Sequence, residues 1–207
     1  MKKEIKRILA IGAHPDDIEL GCGGTLAKHI ECGDSVTALV LTNGEGGGPP
    51  PGVRRHEATL AAATMRYNDL FFGRLSALKF STVEQAHVMV IELAIEDSKP
   101  DIIYCHTIHD LHQNHETAAK CTLIAAREVQ SVLSFELPSA LNGFNPNFFV
   151  EVSGTMEKKL EAIRNFESQK EKRYMKPESI IGRASDWAVR ANYGELVEAF
   201  CVERMTG

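Results

Sequence analysis

Along the chain, short continuous apolar runs alternate with stretches whose apolar residues recur at helical intervals. Ile5 to Ala13 is an apolar, β-compatible run, Leu20 to Cys32 reads as a helix, and SVTALVLT, Ser35 to Thr42, supplies a second strand. The segment NGEGGGPPPG, Asn43 to Gly52, continues neither element, because glycine is too permissive and proline lacks a donor, so it reads as a long loop and a candidate lid. Arg54 to Tyr67 is an alanine-rich helix, Leu70 to Phe72 a short strand, and Val83 to Asp97 a helix that stops before Pro100. DIIYCH follows as a compact buried strand, then a helix from about His115 to Val129, then two strands in VLSFEL and FFVEV. Met156 to Lys172 is charged and helical, and its lysines and glutamates read as a solvated face. This alternation predicts an α/β fold, a doubly wound and mostly parallel sheet with an antiparallel addition in the C-terminal third.

Length and composition narrow the class. At 207 residues the chain fits a single domain, 1–207, with neither repeat nor linker. It is 43% hydrophobic and 25% charged and has no apolar stretch long enough to span a bilayer. A net charge of -5 argues against a nucleic-acid partner, which would leave a basic footprint. Five scattered cysteines without a C-x-x-C pair suit a reducing compartment, so a cytoplasmic protein is expected. The N-terminal MKKEIKRILAIGA mimics a signal peptide, but its apolar run is short and leads directly into HPDD, so it reads as a buried strand.

In such sheets, ligands gather beyond the carboxyl ends of the strands. Three loops there carry unusual chemistry: HPDD at His14 to Asp17, the glycine-proline loop, and HTIHDLHQNH at His106 to His115. Adjacent side chains point in different directions, so the two aspartates can divide their work. One can ligate a metal with His14 while the other accepts a proton from water. His115, near the start of a helix, is placed to supply a third ligand. Two nitrogens, one carboxylate and an open position describe a catalytic zinc site rather than a closed structural one.

His14-Pro15-Asp16-Asp17, followed by Glu19 and Gly21 to Thr25, together with the distant His112-Gln113-Asn114-His115, resembles the PIG-L/LmbE-like N-acetylglucosaminyl deacetylases. VRRHEATLAAA and YGELVEAFCVER resemble further segments of that family in the expected order. The resemblance implies a Rossmann-like fold with helices on both faces and a zinc hydrolase that removes an acetyl group from an amino sugar or a related small glycoconjugate. It implies His14, Asp17 and His115 as metal ligands and Asp16 as general base. It also implies His112 as the group that stabilises the oxyanion or assists proton delivery, and Arg54 as a contact to a substrate oxygen or phosphate. Iron is the other candidate divalent ion.

Two positions depart from the family pattern. Asn114 stands where the downstream motif usually has aspartate, and an amide beside His112 orients the ring without favouring its protonated form. Ala77 and Ser81 stand where many relatives carry an acidic residue near the sugar hydroxyls.

Blander readings compete for several residues. An aspartate after a strand is commonly a helix cap. His106 and His109, although they share the three-residue spacing of His112 and His115, read as strand-end and loop residues. GCGG lacks a dinucleotide-type third glycine and reads as close helix packing. The alternatives to a deacetylase are an amidase of another N-acyl or thiol-sugar conjugate by the same metal centre, and a non-catalytic sugar- or nucleotide-binding module. The expected partner is a small N-acetylated molecule, and a homo-oligomer is compatible with the sequence.

Overall fold

The computed structural model describes residues 4–44, 48–140 and 143–206. Five strands, β1 (Arg7–Gly12), β2 (Ser35–Thr42), β3 (Asp69–Leu75), β4 (Ile102–His106) and β5 (Ser131–Phe135), are joined by α1 (Asp17–Glu31), α2 (Val53–Met65), α3 (Gln85–Ser98) and α4 (Gln113–Ala125). After β5 come β6 (Phe148–Glu151), α5 (Met156–Ile163), α6 (Pro177–Ala191) and β7 (Val197–Met205). The strands form one sheet in the order β3-β2-β1-β4-β5-β7-β6. β1 to β5 are mutually parallel, and β7 runs antiparallel to both neighbours. The mostly parallel sheet and its antiparallel C-terminal addition are as expected.

Strand alternation explains why helices cover both faces. Ile8 and Ala10 on β1 pack with Ile18, Leu26, Met65 and Leu160 on the side of α1, α2 and α5. Leu9 and Ile11 pack with Val88, Ile91, Ala118 and Cys121 on the side of α3 and α4. A strand buried on both faces must be apolar throughout, which is why β1, β2 and β4 stand out as continuous runs. The strand order reverses between β1 and β4, and such a switch point opens a crevice at their carboxyl ends. The loops after β1 and β4 carry His14 to Asp17 and His106 to His115.

GCGG is a packing device. A Cβ on Gly21 would lie 2.3 Å from the Phe135 ring, and one on Gly24 would lie 2.9 Å from Val152 Cβ. α1 kinks at Cys22 (φ -140°, ψ 16°). The kink frees the amides of Gly24 and Thr25, and both donate to the Glu198 carboxylate, at 2.9 and 2.7 Å. Lys159 Nζ completes that buried cluster, 2.7 Å from Glu198. Burial of this charge is tolerable because each carboxylate oxygen has a donor.

The largest departure from the sequence reading lies in 156–175. α5 ends at Ile163, and the chain then breaks into two 3-10 turns, Glu167–Gln169 and Arg173–Met175. Glu57 on α2 stops the helix from running on by taking two hydrogen bonds from Ser168, from its amide and its hydroxyl, both 2.7 Å. Lys159 is buried rather than solvated. The sequence pattern predicts neither α6 nor β7.

Candidate metal centre

The crevice at the β1/β4 switch point is a cavity of about 550 Å³, within the range of small-molecule sites. Its floor holds His14, Asp17 and His115. His14 Nδ1 is 3.2 Å from His115 Nε2 and 3.3 Å from Asp17 Oδ2, and His115 Nε2 is 3.5 Å from Asp17 Oδ2. Nitrogen and oxygen ligands at about 2.0–2.1 Å in tetrahedral array stand about 3.3 Å apart. The donor set and its spacing therefore fit a divalent ion.

Neighbouring groups set the lone pairs. Asp110 Oδ2 lies 3.0 Å from His115 Nδ1, so that nitrogen carries the ring proton and Nε2 presents its lone pair to the centre. The same carboxylate accepts the His112 amide at 2.8 Å. Burial pushes the Asp17 carboxyl up, but His115, His14 and His106 outweigh it and hold it well below the usual range. Burial lowers His115, yet Asp17 and Asp110 raise it above the ordinary value.

Asp16 sits at the N-cap of α1 without capping it. Its Oδ1 instead pairs with Arg54 Nη2 at 2.7 Å, and the same nitrogen donates to Pro15 O at 2.6 Å. The cap reading therefore fails for this aspartate. Its backbone is left-handed, φ 105° and ψ -24°, a conformation that costs about 1–3 kcal/mol in a non-glycine residue and aims the carboxylate into the cavity. Burial pushes Asp16 up to about 7, with Arg54 opposing the shift and Asp17 adding to it. Arg54 is buried and lines the cavity, but its fork is directed largely at Asp16, Pro15 and Gly44. A substrate would meet only what that fork leaves over.

His112 caps α4, its Nδ1 accepting the Asn114 amide at 3.2 Å. The ring proton is thereby fixed on Nε2, which makes the neutral ring a donor. Burial, with His115 and His14 adding to it, pushes His112 down to about 4, so it is neutral at pH 7.

Three of the four evenly spaced histidines meet. His115 lies between His106 and His112, stacked on each at 4.3 Å. His106 ends β4 as expected, yet its Nε2 is 2.9 Å from the Ala13 amide and 3.1 Å from Asp17 Oδ2. It thus neighbours Asp17 rather than standing apart. Burial pushes it down to about 4. His109 is exposed in the loop.

Asn114 corrects the expectation placed on it. Its side chain does not orient His112. The amide nitrogen lies 3.2 Å from His14 Nε2 and 2.9 Å from Ala77 O, and the amide oxygen is buried without a partner among the described residues. Asp110, Lys172 and Tyr174 are further residues of the site that the sequence did not single out. Only Asp110 carried a local signal, as the acid two residues before His112. Gly44 lines the cavity, whereas residues 45–47 of the proposed lid lie outside the described residues. No helix among the described residues is long and apolar enough to cross a membrane.

The pattern of the family described as PIG-L: GlcNAc-PI de-N-acetylase matches residues 9–126. The chain is 35% identical over 158 residues to the uncharacterized deacetylase YaiS of Escherichia coli, an alignment covering 71% of this chain and 82% of that protein. It is 27% identical over 190 residues to diacetylchitobiose deacetylase of Thermococcus kodakarensis, covering 80% and 71%. Its fold matches that of N,N'-diacetylchitobiose deacetylase from Pyrococcus horikoshii with a TM-score of 0.83 at 18% identity, over 96% of this chain and 84% of that one.

Proposed function

The chain belongs to the PIG-L family, and from that premise we propose that it is a zinc-dependent deacetylase that hydrolyses the N-acetyl group of an amino sugar or small glycoconjugate. The observation that carries the reading is the triad of His14 Nδ1, Asp17 Oδ2 and His115 Nε2, mutually 3.2–3.5 Å apart, with a non-capping Asp16 beside it. These three residues would hold the ion, and when bound it supplies a Lewis acid for the acetamide carbonyl and a more acidic water.

The remaining chemistry belongs to the chain. Asp16, whose Oδ1 is held by Arg54, takes a proton from the attacking water as its oxygen bonds to the carbonyl carbon. Its raised value, about 7, makes it a stronger base than an ordinary carboxylate and a usable acid afterwards. His112 Nε2–H donates to the developing oxyanion; as a neutral ring it acts by hydrogen bonding and not as an imidazolium. When the C–N bond breaks, Asp16 returns its proton to the departing nitrogen, leaving acetate and a free amine.

The test is acetate release from a panel of N-acetylated amino sugars and mercapturate-like amides, before and after chelation and after zinc is restored. Metal-dependent acetate release from the sugars is expected. Turnover of the amide conjugates alone would favour the other amidase reading, and ligand binding without turnover of any compound would favour a binding module.

A further inference from the structure

A single nitrogen holds Asp16 in its left-handed conformation. Arg54 Nη2 donates to Pro15 O at 2.6 Å and to Asp16 Oδ1 at 2.7 Å, so both of its hydrogens are in use. This bridge and the backbone conformation require each other. At φ 105° the Asp16 Cβ lies on the same side of the N–Cα bond as the preceding carbonyl group, which brings the carboxylate and Pro15 O within reach of one donor. At the negative φ of an ordinary N-cap residue it lies on the opposite side, and the carboxylate turns to the amides of the first helical turn. Arg54 is itself fixed, buried on the first turn of α2 with Nη1 reaching Gly44 O at 3.4 Å. Gly44 makes room for it: its φ is 67°, and a Cβ there would lie 2.7 Å from Nη1 and 3.1 Å from Pro15 Cδ. Nε is buried without a partner among the described residues, so a ligand in the cavity could address only a hydrogen of Nη1.

Resting on the reading of Asp16 as the general base of a deacetylase, we propose that Arg54 is a positioning residue that acts through Asp16: it keeps this carboxylate aimed into the cavity and stops it from capping α1. Two arrangements compete for Asp16. Capping would relax the left-handed backbone and satisfy an amide of the first turn of α1, so it is the conformation an aspartate at this place adopts when nothing opposes it. Arg54 opposes it with two charge-assisted bonds that only the left-handed form can accept together. The guanidinium also ties the loops after β1 and β2 to the start of α2, so the base is preorganised by three segments of the chain.

The experiment follows acetate release from N-acetylglucosamine, with zinc content in the same samples, for wild-type protein, Arg54→Met and Arg54→Ala. Expected in Arg54→Met are unchanged zinc content, a kcat lower by about 100-fold or more and a KM within about twofold, the pattern of an interaction felt only in the transition state. Guanidinium ion below its denaturing range should recover about tenfold or more of the lost kcat in Arg54→Ala, the scale of one charged hydrogen bond, and none in Asp16→Asn. A KM that rises while kcat is kept marks a substrate contact and overturns the proposal, as does recovery by guanidinium in Asp16→Asn. Crystal structures supply a readout that needs no turnover. In Arg54→Met, Asp16 should take a negative φ and accept from the amide of Ile18 or Glu19; an Asp16 that stays near φ 105° without Arg54 overturns the proposal. Should neither variant fold, zinc-loaded wild-type crystals soaked with glucosamine and acetate decide: Nη2 still bonded to Pro15 and Asp16 supports the proposal, and a guanidinium turned to the sugar overturns it. Failure of the deacetylase reading appears separately, as no acetate from any N-acetyl sugar in wild-type protein.

Discussion

Replacing Asn114 by aspartate reads the proton position on His14. With Nδ1 holding a metal, the imidazole proton resides on Nε2 and requires an acceptor. The Asn114 nitrogen faces that atom at 3.2 Å while donating to Ala77 O at 2.9 Å, and the amide oxygen is buried with no partner among the described residues. The amide can become an acceptor only by turning its oxygen to His14 and surrendering Ala77. A carboxylate accepts in either orientation. Such carboxylate–histidine support is worth about 10–100-fold in metal affinity, or about 1.4–2.7 kcal/mol. The lost Ala77 bond costs about 0.5–1.5 kcal/mol, but it is lost with or without the ion and lowers the stability of the metal-free protein instead. Zinc affinity measured at pH 8 by competition with a chromogenic chelator should tighten about tenfold or more in Asn114→Asp, while the urea midpoint of the metal-free protein falls. An unchanged or weaker zinc affinity in a folded variant would refute the assignment of His14 Nδ1 as ligand.

Two further outcomes follow from buried charge. Lys159→Met leaves Glu198 without its cation in a site where both side chains are about 5% exposed or less, and should cost about 3–5 kcal/mol in urea unfolding; a loss below about 1 kcal/mol would show that Gly24 and Thr25 alone satisfy the carboxylate. Burial pushes Glu19 from 4.5 up to about 7, so the native protein keeps a proton that the unfolded chain releases. The stability from this group is full below pH 4.5 and is lost as pH rises through about 7. The permanently neutral Glu19→Gln should therefore stabilise the protein at pH 8 by on the order of 3 kcal/mol and by little at pH 4, and a difference that does not grow with pH contradicts this.

Legibility in the sequence followed how local each cause was. β1, β2 and β4 were plain because both faces of each are covered, which leaves no polar position to blur the run. β7 was not, because Glu198, Glu203 and Arg204 interrupt it, and Glu198 is buried only through its bonds to Lys159, Gly24 and Thr25. The strand-end location of HPDD and of the histidine-rich loop was legible from the order of elements. What those loops do to one another was not: His106 reaches Asp17, and Asn114 reaches His14, across about ninety to a hundred residues of chain. Lys172 read as part of a solvated charge run because its place in the cavity depends on Glu57, 111 residues from Ser168, breaking the helix into turns. The packing role of the glycines after HPDD is legible in the sequence, and the crowding at Gly21 comes from Phe135, a buried ring on a core strand.

The most direct measurement pairs metal content with acetate release, in the same samples, for wild-type protein and Asp16→Asn. The variant keeps the shape of a side chain that does not belong to the proposed ligand triad of His14, Asp17 and His115. Expected are one zinc per chain in both proteins and acetate release that falls at least about 100-fold in Asp16→Asn, the scale of a lost general base. Full turnover in the variant, or loss of zinc together with activity, would contradict the division of labour between the two aspartates.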